Sequence, residues 1–260
     1  MTTRSPAKIS TTLFGKNGTN PLPIIEKLWE FYSLKGIKTV FISLGTSSSP
    51  LGELEIAETL GCPLHIVETN EEKVSLWNKV IIILKERKIS DDSNCDFTND
   101  VQNKWVLPKN IKVSSQLPFF FTGVMETENG SIHTIDMKEY VKSICNNMNI
   151  LEDNHRIDFL NIQLGSNLEE SLLYCVTNNC YRPGMICVNY TNKPDSNLIT
   201  TQVAGHLHNI GYVLIAKEEN KFLYLFNDKN VYEFASYENI INDNPLTYEI
   251  IKSTGFYNSS

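Results

Sequence analysis

A small polar turn and a distant carboxylate are the residues whose types and spacing point most directly to chemistry. The turn begins with Gly45-Thr46-Ser47 after an apolar run, and Glu68 ends the next short apolar run. In nucleotide-binding α/β proteins, an acidic residue roughly 20 positions after the first glycine turn takes the ribose hydroxyls of the ligand. Small residues in that turn let a ligand approach the backbone N–H groups of the following helix. The pattern predicts a nucleotide site, and an ordinary strand–turn–helix unit is the alternative.

The same turn disfavours two other classes of enzyme. A single glycine, Gly45, precedes Ser47, whereas a dinucleotide-binding fingerprint requires a Gly-x-Gly-x-x-Gly run. The Gly-x-Ser-x-Gly elbow that presents a hydrolase nucleophile is also missing from the sequence. A dinucleotide oxidoreductase and a serine hydrolase are therefore both poor interpretations.

The elements that must position these residues alternate between strand and helix. Apolar, β-branched runs predict strands over 39–44, 64–67, 132–135, 157–164, 185–189, 212–216 and 222–226. Helical spacing predicts helices over 52–60, from the N-cap Asn70, over 136–147, after 165–167 and from Ser196 to Gly211. Alternating strands and helices that end in a hairpin favour an α/β protein with a mostly parallel sheet and one antiparallel strand.

Bulk composition limits the domain organisation and the partners. The 260 residues carry a net charge of −7, which gives no electrostatic footprint for nucleic acid or an anionic membrane surface. We predict an N-terminal arm at 1–22 and one α/β domain at 23–260, with a loop insertion at 89–110. The chain has no signal-like segment and no membrane-length apolar run, so a cytoplasmic location is expected.

The cysteines and histidines predict no metal site. Six cysteines are scattered without a Cys-x-x-Cys pair, which favours reduced thiols. His206 and His208 are two residues apart on a predicted helix, so they point to different faces and make poor joint ligands.

Three segments in the second half of the chain resemble motifs of a known family. They are SIHTID (131–136), IDFLNIQLG (157–165) and LHNIGY (207–212). They resemble the Thr-Leu-Asp, Ile-Asp-x-Leu-Lys-Ile-Asp-x-Glu-Gly and Leu-x-x-x-Gly-Tyr motifs of the FkbM-type family of S-adenosylmethionine-dependent methyltransferases. The resemblance spans roughly residues 38–226. It implies the class I methyltransferase fold, a Rossmann-like, mostly parallel seven-stranded sheet with an antiparallel C-terminal strand and helices on both faces.

The resemblance also implies methyl transfer from S-adenosylmethionine, often to oxygen. Gly45 matches the glycine of the family's first turn, and Glu68 matches the ribose-binding acid. The predicted cofactor-binding residues are Ser43, Gly45, Thr46, Ser47 and Glu68.

An acceptor hydroxyl must lose a proton, and the predicted candidates for this catalytic base are His133, Asp136 and Asp158. Asp136 matches the aspartate of Thr-Leu-Asp in the family. Each candidate has a structural alternative: His133 as an edge residue of a strand, Asp136 as a helix N-cap, and Asp158 as an acceptor for loop amides.

The chain departs from the family at several charged positions. Ser43 replaces the acid of the first strand, and Asn161 and Gln163 replace the family's Lys-x-Asp. Gly165 stands nearest the acid that follows, and Glu169 is the next acid along the chain. Replacing a carboxylate with an amide removes a charge-assisted hydrogen bond worth about 1.5–3 kcal/mol.

Two hypotheses of function therefore stand. One is a divergent S-adenosylmethionine-dependent methyltransferase that modifies oxygen on a small-molecule or glycan-like acceptor. The other is a catalytically inactive protein of the same fold that serves as a binding or structural partner, with another protein or as a homo-oligomer. The retained Glu68 favours the first, and the uncharged Ser43, Asn161 and Gln163 favour the second.

Overall fold

The computed structural model describes much of the chain between residues 38 and 226. The described residues are 38–46, 51–86, 111–128, 130–148, 156–164, 168–178, 181–190, 198–218 and 220–226. The N-terminal arm predicted at 1–22 and the loop insertion predicted at 89–110 lie outside these ranges.

The described residues form ten strands and five helices, which alternate through much of the chain. The strands are β1 (Lys38–Leu44), β2 (Leu64–Val67), β3 (Ile111–Ser114), β4 (Leu117–Phe119), β5 (Gly123–Thr127), β6 (Gly130–Asp136), β7 (Arg156–Ile162), β8 (Met185–Asn189), β9 (Tyr212–Glu218) and β10 (Lys221–Phe226). The helices are α1 (Leu51–Thr59), α2 (Glu71–Glu86), α3 (Met137–Met148), α4 (Glu169–Asn178) and α5 (Leu198–Asn209).

Seven of the strands form one main sheet in the order β3-β2-β1-β7-β8-β10-β9. Strand β1 lies parallel to β2 and β7, and the pairs β2–β3 and β7–β8 are parallel too. Strand β10 runs antiparallel to both of its neighbours, β8 and β9. The prediction of a mixed α/β chain with a mostly parallel sheet is confirmed, and the hairpin that the sequence predicts at its end supplies the reversed strand.

Both faces of the sheet are covered, as continuous apolar strands require. On one face, Val40, Ile42 and Leu160 belong to a core that also contains buried residues of α3, α4 and α5. On the other face, the rings of Phe41 and Phe159 stack with their centroids 5.1 Å apart. The buried residues of α1 and α2 lie outside the first core, and these helices contact β2 and β3, so they cover the second face.

Helix boundaries follow signals that the sequence carries locally. Asn70 caps α2, because its Oδ1 accepts a hydrogen bond from the Lys73 backbone N–H at 3.1 Å. Gly61, just after α1, has a φ of 59°, and Gly211, just after α5, has a φ of 100°. Both values lie in the region that glycine adopts most readily at helix ends.

The structure adds a three-stranded sheet, in the order β4-β6-β5, that the sequence pattern does not predict. Strand β6 contains the strand predicted at 132–135, yet it pairs with β4 and β5 instead of joining the main sheet. Residues of β5 alternate between half-buried and exposed, so only one face of this strand is covered. The buried Leu117 and Phe119 of β4 join the core beneath α3 and α4. A strand pattern predicts extended backbone but does not specify which strand it pairs with.

Within the described ranges, the longest helix is α2 with 16 residues, and no helix there is long and apolar enough to cross a bilayer.

Candidate functional site

The carboxyl ends of β1, β2 and β7 meet at one position on the edge of the main sheet. The register pairs Leu44 with Val67 of β2 and with Ile162 of β7, so the residues that follow these strand ends are neighbours. In open α/β sheets, ligands bind in the crevice outside the carboxyl ends of the strands. The structure therefore brings Gly45 and Glu68 to one place, as the sequence predicts, and that place is the candidate site.

Gly45 makes the turn at the end of β1 and presses against the end of β7. Its φ is 77°, and its N–H donates to the Val67 carbonyl oxygen at 2.7 Å. A Cβ at this position would lie 2.1 Å from the Gln163 carbonyl oxygen. Glycine is thus required by backbone packing between β1 and β7, whereas the sequence argument attributed it to ligand approach. Ser47, the last predicted residue of this turn, lies outside the described residues.

Glu68 is the centre of the hydrogen-bonding at the site. Its Oε2 accepts bonds from the Thr46 backbone N–H at 3.1 Å and the Thr46 hydroxyl at 2.8 Å. Its Oε1 accepts a bond from the Asn70 N–H at 2.9 Å. Glu68 is only 2% exposed, and Thr46 is equally buried. The carboxylate therefore ties the turn after β1 to the start of α2.

Lys73 balances the charge of this buried carboxylate. Its Nζ lies 3.7 Å from Glu68 Oε2 and donates to the Thr46 carbonyl oxygen at 2.6 Å. The lysine side chain is 32% exposed, so its ammonium keeps contact with solvent. Thr46 is therefore held on two sides, by Glu68 through its N–H and hydroxyl and by Lys73 through its carbonyl.

Ser43 and Asn161 form a second polar pair, on adjacent strands of the sheet. The two residues are opposite one another in the register of β1 and β7. Asn161 Nδ2 donates to Ser43 Oγ at 3.1 Å, and Ser43 Oγ donates to the Gly45 carbonyl oxygen at 2.8 Å. Ser43 was predicted to bind a cofactor, and in the structure its hydroxyl is hydrogen-bonded to the backbone of the turn after β1.

Two buried acceptors at the end of β7 have no partner in the described part of the chain. They are the side-chain oxygens Asn161 Oδ1 and Gln163 Oε1. Buried polar atoms are nearly always hydrogen-bonded, because an unpaired one costs about 1–3 kcal/mol. These oxygens are therefore acceptors that the described residues leave unsatisfied at the candidate site.

Asp158, a predicted catalytic base, lies away from the candidate site. It stands opposite Val40 in the first half of β7, roughly 13 Å along the strand from the end of β1, given ~3.3 Å per residue. Asp158 is buried, and its Oδ2 accepts a hydrogen bond from the Tyr181 hydroxyl. In the structure this carboxylate joins β7 to the segment before β8.

His133 and Asp136, the other two predicted bases, both lie on β6 of the smaller sheet. His133 is exposed and pairs with Val124 of β5. Asp136 caps α3, because its Oδ1 accepts the backbone N–H groups of Lys138 at 2.9 Å and Glu139 at 3.3 Å. The structure thus places these two on one strand of the smaller sheet, whereas Asp158 lies on β7 of the main sheet.

Tyr190 places a buried phenol just after β8. Its ring meets Phe222 edge-on with centroids 5.5 Å apart, and its hydroxyl has no partner among the described residues. Burial, followed by the nearby Tyr224 and Glu170, raises the pKa of Tyr190 above its usual value of 10. A phenol of this kind stays protonated at neutral pH and can act only as a neutral hydrogen-bonding group.

Metal-binding chemistry finds no candidate in the described ranges. No group of three or more His, Cys, Asp and Glu residues there is placed to hold an ion. Cys62 and Cys187 are buried, and burial is the main cause that raises the pKa of each thiol to about 12. Such thiols are protonated and unreactive at neutral pH.

Lys73, Asn161 and Gln163 were not among the residues predicted from the sequence to form the site. A signal existed for Lys73, which lies in the first turn of the helix that follows Glu68. For Asn161 and Gln163 there were two signals: the resemblance aligns them with the family's Lys-x-Asp motif, and they lie near the end of a buried strand, where polar side chains are unusual. None of these signals becomes specific until the register of β1 and β7 is known.

A scan against models of protein families finds no match to this chain, and a search of curated proteins finds no similar sequence.

Proposed function

We propose that this protein binds S-adenosylmethionine at the carboxyl ends of β1, β2 and β7 and transfers its methyl group to an acceptor oxygen. The observation that carries the proposal is the main sheet: a mostly parallel order, β3-β2-β1-β7-β8-β10-β9, in which β10 is reversed. The class I methyltransferase fold implies a sheet of this kind. The motifs at 131–136, 157–165 and 207–212 add sequence support.

Glu68 is the residue proposed to bind the ribose. It ends β2 beside the glycine turn after β1, the position from which an acid takes ribose hydroxyls in nucleotide-binding sheets. A carboxylate has about four acceptor positions, so two vicinal hydroxyls are a suitable pair of donors.

Asn161 and Gln163 are proposed to face the methionine end of the same ligand. Their oxygens, Oδ1 and Oε1, are buried acceptors without partners in the described residues, and a ligand ammonium is a group of three donors. The family has a Lys-x-Asp motif at these positions, so this chain would offer neutral amides where the family offers charged groups. A cofactor held by these amides would therefore make fewer charge-assisted contacts than in the family.

The bound cofactor would supply an electrophilic methyl group on its sulfonium sulfur. The protein's own contribution is to hold donor and acceptor in a reactive geometry, which is worth several kcal/mol in reactions of this kind. The acceptor must also lose a proton. Asp158 is disfavoured as the base, because it lies roughly 13 Å along β7 from the site and is bonded to Tyr181. His133 and Asp136 stay predicted bases, and both lie on β6 of the smaller sheet.

A second candidate is a protein of the same fold that binds ligands or partners without catalysis. Two observations favour it. The Glu68 carboxylate already accepts three hydrogen bonds from its own chain, and Ser43 and Asn161 bond each other where the family carries charged groups.

Isothermal titration calorimetry on the full chain tests the proposal. We expect S-adenosylmethionine and S-adenosylhomocysteine to bind, and the substitution Glu68→Ala to weaken both by about 10–100-fold, since a bond to a charged group is worth about 1.5–3 kcal/mol. Glu126→Ala is the matched control, because that carboxylate is exposed on β5 and bonds only Ser131 among the described residues.

Absence of heat with either ligand in the wild-type chain would reject cofactor binding. Binding without transfer to any of a panel of hydroxylated acceptors, measured with a methyl-labelled cofactor, would favour the non-catalytic candidate. Circular dichroism of Glu68→Ala must show a folded chain before its binding is interpreted, and Glu68→Gln provides a gentler variant of the same test.

A further inference from the structure

The Thr46 hydroxyl occupies one of the acceptor positions on Glu68 that a ribose would need. It donates to Oε2 at 2.8 Å, and the Thr46 backbone N–H donates to the same oxygen at 3.1 Å. Oε1 accepts a single described bond, from the Asn70 N–H at 2.9 Å. One ribose hydroxyl can therefore reach Oε1 without displacing a protein group, but a second hydroxyl on Oε2 competes with Thr46.

We infer that Thr46 is a specificity-determining residue of this site: its hydroxyl stands in for a ribose hydroxyl on Glu68, and ligand binding exchanges one for the other. This inference rests on the proposed function, since it assumes that Glu68 meets a ribose. It explains why a carboxylate that should bind a ligand is only 2% exposed.

The surroundings of Thr46 make the exchange local. Its carbonyl accepts a bond from Lys73 Nζ at 2.6 Å, and its N–H is fixed on Oε2. The backbone of Thr46 is therefore held on both sides, while its hydroxyl can leave Oε2 by rotation of the side chain alone. Threonine has few preferred side-chain rotamers, so this is a switch between discrete positions.

The exchange has a consequence for ligand choice. A ribose with both hydroxyls restores the bond that Thr46 gives up, so the buried carboxylate stays satisfied. A 2′-deoxyribose has only one of the two hydroxyls, which can bond Oε1 while the Thr46 hydroxyl stays on Oε2. Glu68 then keeps as many bonds as it has with a ribose, so the Thr46 hydroxyl reduces the preference for a ribose with both hydroxyls. Without that hydroxyl, a deoxyribose leaves the buried carboxylate with one bond fewer than a ribose does, so the site should discriminate more strongly.

The test compares Thr46→Val with Thr46→Ser, using S-adenosylhomocysteine as the probe in calorimetry on the full chain. Valine keeps the backbone N–H but lacks the hydroxyl. A methyl group at the hydroxyl's 2.8 Å distance from Oε2 would be too close, so the valine side chain must turn away from Glu68 and leave Oε2 available. We expect Thr46→Val to bind the probe about tenfold more tightly, which corresponds to ~1.4 kcal/mol, and Thr46→Ser to bind like the wild type.

A second measurement separates this role from a merely structural one. Without the probe, Thr46→Val should melt at a lower temperature than the wild type, because the hydroxyl no longer satisfies Glu68. With saturating probe, its melting temperature should rise by more than that of the wild type. A residue with only a structural role would lower the melting temperature without raising the affinity.

The outcomes distinguish this inference from the proposed function. If the wild type binds the probe and Thr46→Val binds equally or more weakly, the inference is wrong while the proposed function stands. If only Thr46→Val binds, the inference is supported directly. If neither chain binds, both the cofactor site and the role of Thr46 are rejected.

Discussion

The two sides of the candidate site satisfy their polar groups in opposite ways. On the side of β1 and β2, the carboxylate of Glu68 accepts bonds from Thr46 and Asn70, with Lys73 beside it. On the side of β7, the oxygens of Asn161 and Gln163 are buried and have no partner in the described ranges. The carboxylate oxygens on the first side are hydrogen-bonded within the chain, and the two amide oxygens on the second side are not bonded to any described residue.

If a ligand binds at this edge as proposed, the two sides would respond differently. Bonds made within the chain stabilise the fold, and those on Glu68 would have to be exchanged for bonds to the ligand. Unpaired acceptors destabilise the fold, and the proposed ligand would supply their partners. Substitutions on the two sides should therefore separate effects on stability from effects on binding.

The largest expected effect on stability comes from a substitution that disrupts the close packing between the turn after β1 and the end of β7. In Gly45→Ala, the new Cβ would lie 2.1 Å from the Gln163 carbonyl oxygen, at a φ of 77°. We expect the free energy of unfolding to fall by about 2–4 kcal/mol, since backbone strain and overpacking add. Urea denaturation measures this change.

Gly61→Ala is the matched control for that substitution. Its φ of 59° imposes similar backbone strain, but nothing lies within 4 Å of the added Cβ. The expected loss is about 1–2 kcal/mol from the left-handed conformation alone. Equal losses in the two variants would show that Gly45 is not held by packing against β7.

Effects of intermediate size on the free energy of unfolding are expected from one substitution on each side of the site, at Glu68 and at Asn161. Glu68→Gln weakens three bonds to a buried carboxylate, and we expect a loss of about 1.5–3 kcal/mol in the free energy of unfolding. Asn161→Leu removes one bond to Ser43 together with an unpaired oxygen, so its expected change is under ~1 kcal/mol. Thermal and urea unfolding of both variants measure the contrast, and a greater loss in Asn161→Leu would contradict it.

The smallest expected effect lies where the last turn of α5 contacts α4. His206 Nε2 is 2.9 Å from the Thr177 hydroxyl oxygen, and its ring lies 4.7 Å from that of Tyr174. Burial, and secondly the charge of Arg182, lower the pKa of His206 below its usual 6.5. As pH falls through 6.5 the unfolded chain binds a proton before the folded chain does, so stability decreases with falling pH.

We therefore expect His206→Gln to flatten the dependence of stability on pH between about 7 and 5, the range in which an ordinary histidine titrates. Urea unfolding at a series of pH values measures the slope. His208→Gln, at an exposed position on the same helix, is the matched control. Equal changes of slope in the two variants would show that the surroundings of His206 do not cause the dependence of stability on pH.

Much of the fold was predictable from local patterns. The strand at 157–164 and the helix capped by Asn70 were recognisable from apolar runs and capping residues, and the structure has β7 and α2 there. The reversed hairpin followed from two apolar runs joined by a short polar turn. The Asn-Gly pair at 129–130 predicts a hairpin turn, and β5 and β6 pair antiparallel on either side of it. The separation of β4, β5 and β6 into a second sheet was not predictable, because a strand pattern does not specify which sheet the strand joins.

The candidate site was predictable only in part. The location of Gly45 and Glu68 at the same edge of the sheet followed from the strand–turn–helix–strand order. The reason for the glycine did not, since it depends on the nearby carbonyl of Gln163 in a strand more than a hundred residues away. Asp136 as a helix cap was recognisable from its place before an apolar periodic segment.

By itself, the sequence determined the type of most described elements and the two residues on which the site is built, because periodicity, caps and turn glycines act over a few residues. Only the tertiary structure decided that the Thr46 hydroxyl donates a hydrogen bond to the Glu68 carboxylate. It also decided that the side-chain oxygens of Asn161 and Gln163 have no partner among the described residues. Those facts depend on which strands lie side by side and in what register, and that is a property of the whole sheet.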